Sequence, residues 1–193
     1  MHTLHTTDAL VLGSYLHGES NRVFKLFTRS HGVLYAHAQS VRELANRNRY
    51  ALRTHAHVSV TLVRGREVWR LASAREGSSG VLPVSVRRTL ALAGRLLPVE
   101  DPVPHLFARV SSYAALVREV RGSTVVSLEA AMVLHLLDEL GYVPQPRASF
   151  AERVLASPWP DAFITSEPAF GSELIALVNA VMRNLYHPQL TLE

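Results

Sequence analysis

The period of the apolar residues changes partway along the chain, from two in the first 76 residues to about 3.6 beyond residue 80. Five segments of the first part alternate in polarity or are rich in β-branched and aromatic residues, which is the pattern of half-buried strands. These segments are 9–17, 22–29, 33–41, 52–63 and 67–74. The turn-forming residues Gly18, Gly32 and Gly65 separate several of them.

Five short strands without a long helix between them predict a small closed barrel, because closure removes exposed strand edges. Five strands within about 75 residues is the count of the OB fold. The polar run Gly77-Ser78-Ser79-Gly80 predicts a break after the barrel. Beyond it, segments of helical period end at Gly or Pro, as in an all-α unit. We therefore predict an α+β chain, with an OB-fold β-barrel over residues 1–76 and an all-α helical domain over residues 81–193.

Charge divides along the same boundary. Residues 1–76 contain eleven Lys and Arg against five Asp and Glu, a net charge of +6. Residues 77–193 contain nine against eleven, a net charge of −2. Seven of the ten histidines also lie in the first part. This asymmetry favours contact between the N-terminal part and a polyanion, with an ordinary solvated basic surface as the alternative.

Three groups of basic residues are candidates for that contact. The segment VRELANRNRYALR holds one acidic residue, Glu43, so its positive charge is poorly neutralised within the segment. Arginine neutralises phosphates and also stacks on bases, which suits a single strand lying on a barrel. A predicted strand and a predicted hairpin supply the other two groups. The predicted DNA-binding residues are Arg22, Lys25, Arg29, Arg42, Arg47, Arg49, Arg53, Arg64 and Arg66.

Aromatic residues of the same part are candidates for stacking on bases, although core packing is the commoner role of a strand aromatic. They are Tyr15, Tyr35, Tyr50 and Trp69. No apolar run approaches the roughly 20 residues that cross a bilayer, so we expect no membrane contact and a cytoplasmic protein.

The sequence predicts neither a metal site nor an active site. The chain has no cysteine, which excludes a thiolate zinc site and a cysteine nucleophile. His55 and His57 are two positions apart in a predicted strand, so we expect their side chains to share one face, as a pair of metal ligands would, but no third ligand is evident. A glycine-rich phosphate loop, an HExxH motif and a nucleophile elbow are also missing from the sequence. We therefore expect no metal, no cofactor and no enzymatic activity.

Three segments of the sequence contain short motifs whose order along the chain is informative. The segment TDALVLGSYLHGESNRVFKLFTRSHGVLYAHA is followed by GREVWRLASARE and then by HLLDELGYVPQ. In this order and spacing they resemble the opening, the closing barrel strand and the helical-domain core of the RecO family, the recombination mediators of bacterial DNA repair. Two features depart from the family. Gln39 stands where a lysine is usual, and the cysteine zinc site that many members carry is missing.

The resemblance implies binding of single- and double-stranded DNA, annealing of complementary strands, and recombinase loading with RecR on DNA coated by the single-strand-binding protein SSB. An SSB-type partner presents an acidic, apolar tail. Arg109 and Arg118 are the candidates for binding it, with Tyr113 and Leu116 placed on that side by helical spacing. An OB-fold RNA-binding protein and a non-catalytic interaction scaffold stay open as alternatives.

Overall fold

The computed structural model describes residues 3–39, 51–77, 82–145, 149–157, 159 and 169–185. The strands are β1 (Leu4–His17), β2 (Asn21–Thr28), β3 (Gly32–Ala38), β4 (His57–Arg64) and β5 (Trp69–Glu76). The helices are α1 (Val84–Leu96), α2 (Pro104–Leu116), α3 (Ser123–Glu139), α4 (Ser149–Ala156) and α5 (Ala169–Asn184). The predicted architecture, a five-stranded barrel followed by helices, is confirmed.

The five strands close into a barrel in the order β1-β2-β3-β5-β4. Strand β1 pairs with β2 along one edge and with β4 along the other, and these pairings complete the closure. A β-bulge between Val11 and Gly13 bends β1 between its two partners. Strands β3 and β5 pair in parallel, through Ala36 with Trp69 and His37 with Arg70. A closed five-stranded barrel of this kind is the OB fold.

Alternation along each strand fills the barrel with apolar side chains. In β4, Val58, Val60 and Leu62 are fully buried, whereas Ser59 and Thr61 between them are half-buried. The neighbouring strands contribute further core residues, which include Ala9, Val11, Phe24, Leu26, Leu34, Ala36, Trp69 and Leu71. Because side chains pack the interior, the surfaces open to a ligand are on the outside of the barrel.

Two strands differ in extent from their predicted bounds. Strand β1 begins at Leu4, five positions earlier than predicted, because residues 4–10 pair with β4. Strand β4 begins at His57, five positions later than predicted. His55 adopts a left-handed φ of 65°, and its N–H donates to the carbonyl of Val11 at 2.6 Å. The expectation that His55 and His57 share one strand face is therefore wrong.

The compact unit that contains the barrel also includes residues 94–107. Val99 forms a parallel bridge with Val33, and the Glu100 N–H donates to the Val33 carbonyl at 2.7 Å. The ring of Phe107 packs on that of Phe27, with 5.3 Å between centroids. The unit thus includes residues that the sequence pattern assigned to the helical domain. Residues 78–81, at the predicted break, lie outside the described residues.

Helix α3 forms the apolar centre of the second compact unit. Every residue of this helix from 128 to 137 is buried. It begins after Gly122. One buried acid lies within it. Arg88 of α1 donates two hydrogen bonds to the Glu129 carboxylate, at 2.9 and 2.6 Å, and so compensates the buried charge. In the described ranges, no helix is long and apolar enough to cross a membrane.

The turn between β2 and β3 requires glycine at position 32. Gly32 has a φ of 65°, and a Cβ added there would lie 1.9 Å from the carbonyl oxygen of Asp101. Gly18 has a similar φ of 74° but open space around an added Cβ, so it is the matched control. We expect Gly18→Ala to cost about 1–2 kcal/mol of unfolding free energy and Gly32→Ala about 2–5 kcal/mol, since the Asp101 backbone must also move. Urea unfolding measures both, and equal losses would contradict this account.

Candidate nucleic-acid interface

A groove of about 380 Å³ opens on the outside of the barrel where β1, β2, β3 and β5 come together. His17 ends β1 and Asn21 begins β2, while His37 and Arg70 are direct partners across the parallel pair of β3 and β5. These side chains face outward because their neighbours Ala36 and Leu71 belong to the core. The described residues that line the groove are His17, Asn21, His37, Ala38, Gln39, Val68, Arg70, Leu71 and Ala72.

Among the described residues, the lining of the groove combines cationic, amide and apolar side chains and contains no carboxylate. Arg70 is exposed, and it forms no salt bridge within the described part of the chain. The rings of His17 and His37 meet edge to face, with 5.1 Å between centroids. Positive charge without an internal counter-ion favours an anionic ligand.

Exposed tyrosines extend this surface beyond the groove. Tyr15 of β1 lies opposite Val23 of β2, which in turn lies opposite His37 of β3, so the three residues form one row across the strands. Tyr15 is 53% exposed and Tyr35 is 36% exposed. The ammonium of Lys25 lies 5.3 Å from the centroid of the Tyr35 ring. Exposed rings beside cations are the elements on which single-stranded nucleic acid stacks.

Three of the predicted DNA-binding arginines are already paired with carboxylates of the barrel unit. Arg29 pairs with Asp8 at 3.3 Å, Arg53 with Glu76 at 3.3 Å, and Arg64 with Glu100 at 2.6 Å. A phosphate that binds any of these arginines must compete with its carboxylate, which reduces the electrostatic gain.

The remaining predicted residues differ in their surroundings. Arg22 lies opposite the core residue Ala38 and therefore on the inner face of β2, where its Nε is buried without a hydrogen-bond partner in the described residues. The Lys25 ammonium donates to the carbonyl of Gly94. Arg66 is exposed in the turn between β4 and β5. Three predicted contacts, Arg42, Arg47 and Arg49, lie outside the described residues, as does Tyr50.

Trp69 is part of the core at one end of the barrel and presents little surface for stacking. Its indole N–H donates to Glu100 at 3.0 Å, and the Arg64 guanidinium lies 4.8 Å from its ring centroid. The hydrogen bond from Arg64 lowers the pKa of Glu100 below its ordinary value. Burial, and then the charge of His5, lower the pKa of His31, whose ring lies 4.9 Å from that of Trp69. This cluster holds Arg64 in place.

Arg70 and Arg75 of β5 are exposed outer-face residues that sequence reasoning missed. A spacing of five puts two residues on opposite faces of a regular strand. The structure has a β-bulge here, because Leu62 pairs with Leu71 whereas Thr61 pairs with Ser73. Because the bulge adds one residue to β5 between them, the side chains of Arg70 and Arg75 lie on the same outer face. The sequence showed both arginines, but it gave no sign of the bulge.

The two predicted partner-binding residues lie in and just after α2, in the second compact unit. The Arg109 guanidinium lies 3.0 Å from Nδ1 of the buried His135. Burial, and then the Arg109 charge, lower the pKa of His135 to about 4. His135 is therefore neutral at pH 7, and its Nδ1 accepts the hydrogen bond. Arg118 is half-buried in the turn after α2, while Tyr113 is fully buried and so offers no surface to a partner.

No group of three or more His, Asp or Glu side chains in the described residues is arranged to hold a metal ion. The chain is a protein of the OB-fold class, with a cationic groove on the face of its barrel. A family model described as "Recombination protein O N terminal" matches residues 1–76, the barrel.

Curated relatives extend the similarity into the helices. DNA repair protein RecO of Geobacter metallireducens is 34% identical over 146 residues, which cover 70% of this chain and 58% of that protein. DNA repair protein RecO of Heliobacterium modesticaldum is 30% identical, over 94% of this chain and 66% of that protein. The protein of the same name from Bradyrhizobium sp. BTAi1 is 28% identical, over 84% of this chain and 75% of that protein. The barrel therefore matches the N-terminal part of the RecO family, and the chain spans less than two thirds of the length of the first two relatives.

The buried pair of Arg109 and His135 predicts a pH dependence of folding stability. The pKa of His135 is lowered to about 4 in the folded chain, so stability is lost as the pH falls from about 6.5, where the unfolded histidine gains its proton, towards 4. We expect the loss from this residue to reach about 3 kcal/mol. Urea unfolding at several pH values, for the original chain and for His135→Gln, measures it. An identical pH dependence in both chains would contradict the assignment.

Proposed function

We propose that this chain binds DNA on the outer face of its barrel and acts in recombinational repair, where it anneals complementary strands and helps to load recombinase. The observation that carries the proposal is the groove at β1, β2, β3 and β5, lined by Arg70, His17 and His37 and, in the part of the chain that the structure describes, by no carboxylate. Similarity to curated relatives that are named DNA repair proteins supports the same function. In this proposal the protein works in the cytoplasm, at the DNA.

The proposed mechanism is electrostatic and needs no covalent chemistry, metal or cofactor. Arg70 neutralises backbone phosphates along the groove, while Tyr15 and Tyr35 offer rings to unpaired bases. Neutralised backbones repel each other less, so two complementary strands approach and pair more readily. Double-stranded DNA binds through the same phosphate contacts without stacking.

Exposed and paired arginines are expected to contribute unequally to DNA affinity. Arg70→Gln and Arg53→Gln remove the same charge, but Arg53 already pairs with Glu76 whereas Arg70 lies in the groove. We expect Arg70→Gln to weaken binding of a labelled single-stranded oligonucleotide about tenfold and to lower the salt slope by about 1, with a clearly smaller effect of Arg53→Gln. Equal losses in the two variants would contradict the assignment to the groove.

The salt dependence of the unmodified chain belongs to the same experiment. About six phosphate contacts on a single strand predict a slope near −4, so affinity falls a few hundredfold between about 50 and 200 mM salt. Little binding even at low salt would favour the interaction-scaffold alternative. Tighter binding of the matched RNA oligonucleotide would favour the RNA-binding alternative.

The proposal extends to two protein partners, RecR and SSB. The helical unit has a net negative charge in its sequence, so an acidic tail needs a local basic site there, and Arg109 and Arg118 are the candidates. Because Arg109 also bonds His135, replacing it perturbs the helix packing as well as any partner contact.

Tail binding is therefore tested with a control for that packing. We expect Arg109→Ala and Arg118→Ala each to weaken binding of an acidic, apolar SSB tail peptide about tenfold while DNA binding by the barrel persists. His135→Gln, the control, removes the buried imidazole but neither arginine and is expected to retain peptide affinity. Fluorescence anisotropy measures all three variants. Unchanged affinity in both alanine variants would reject this surface, and an equal loss of DNA affinity would assign the arginines to the DNA path.

A further inference from the structure

We propose that the groove takes up a proton together with a DNA phosphate, through the adjacent imidazoles of His17 and His37, so that DNA binding tightens as the pH falls. This inference rests on the proposed DNA-binding function and assigns a form of regulation to the same groove. It follows from the position of the two rings and from the charges that surround them.

The sheet fixes the two histidines beside each other. His17 lies opposite Asn21 and His37 lies opposite Val23, so both face outward on the two sides of β2. Their rings meet at an interplanar angle of 83°, and Arg70 is the direct strand partner of His37. Two imidazolium rings at this distance would repel each other and the arginine, and a phosphate bound among them removes that repulsion.

The charged groups on the neighbouring elements leave the groove cationic. The turn between β1 and β2 carries Glu19, and the turn between β4 and β5 carries Arg66 and Glu67, but neither carboxylate lines the groove. Strand β2 contributes Arg22 on its inner face, and β5 contributes Arg70. Of the lining residues that the structure describes, no acidic side chain therefore takes the place of a phosphate beside the imidazoles.

Histidine is the side chain that changes charge near neutral pH, whereas a phosphodiester stays anionic and an arginine stays cationic throughout that range. A phosphate that favours the protonated imidazole links binding to proton uptake. For each proton taken up on binding, affinity then falls by up to about tenfold for every unit by which the pH rises. A groove that bound phosphate through Arg70 alone would show almost no change over the same range.

The test measures the affinity of the full chain for a labelled oligothymidine at constant ionic strength and at several values between about pH 6 and pH 8. We expect the unmodified chain to bind about tenfold more tightly at the lower end of the range. The double variant His17→Gln/His37→Gln should lose most of this difference. His105→Gln, at an exposed position of α2 outside the groove lining, is the matched control and should keep the full difference.

The outcomes separate this inference from the proposed function. The same pH response in the double variant and the unmodified chain would overturn the proton linkage and leave DNA binding in place. No DNA binding by the unmodified chain at any of these values would overturn both. Arg70→Gln should weaken binding at every pH and retain the pH response, and loss of that response in this variant would overturn the assignment to the histidines. Circular dichroism at both ends of the range checks that each variant is folded.

Discussion

Barrel closure depends on β1, which pairs with β2 along one edge and with β4 along the other. A short β1 would leave two open edges and an apolar interior in contact with water. The bulge between Val11 and Gly13 lets one strand serve two neighbours that run in different directions. Closure also brings the end of β1 beside β3 and β5, and the groove exists only where these strands come together.

The fold could be predicted from the sequence to a large extent because its signals are local. Alternation in Val58, Val60 and Leu62 fixes the core face of β4, and the left-handed glycine at position 32 fixes a turn. The predicted starts of β1 and β4 were wrong because residues distant in sequence determine where these strands begin. The start of β1 depends on pairing with β4, and the start of β4 depends on the left-handed backbone of His55, which bonds to Val11.

The candidate site could be predicted less well, because net charge does not show which cations are already paired. Arg29, Arg53 and Arg64 were among the predicted DNA-binding residues, and each lies beside a carboxylate from another part of the barrel unit. Sequence reasoning missed Arg70 because its place in the groove depends on the pairing of β5 with β3. Whether a basic residue faces a ligand is a property of strand register, and register is set by pairing across the sheet.

The contacts of Val33 with Val99 and Glu100 join residues that lie far apart in sequence, and this has a consequence for synthesis. Chain growth at about 5–20 residues per second places residue 107 some 2–6 s behind residue 76. During that interval the outer faces of Phe27 and Val33 lack their covering residues, although all five strands have been made. Folding dominated by such non-local contacts is slow, so the nascent barrel is open to wrong association until α2 begins to emerge.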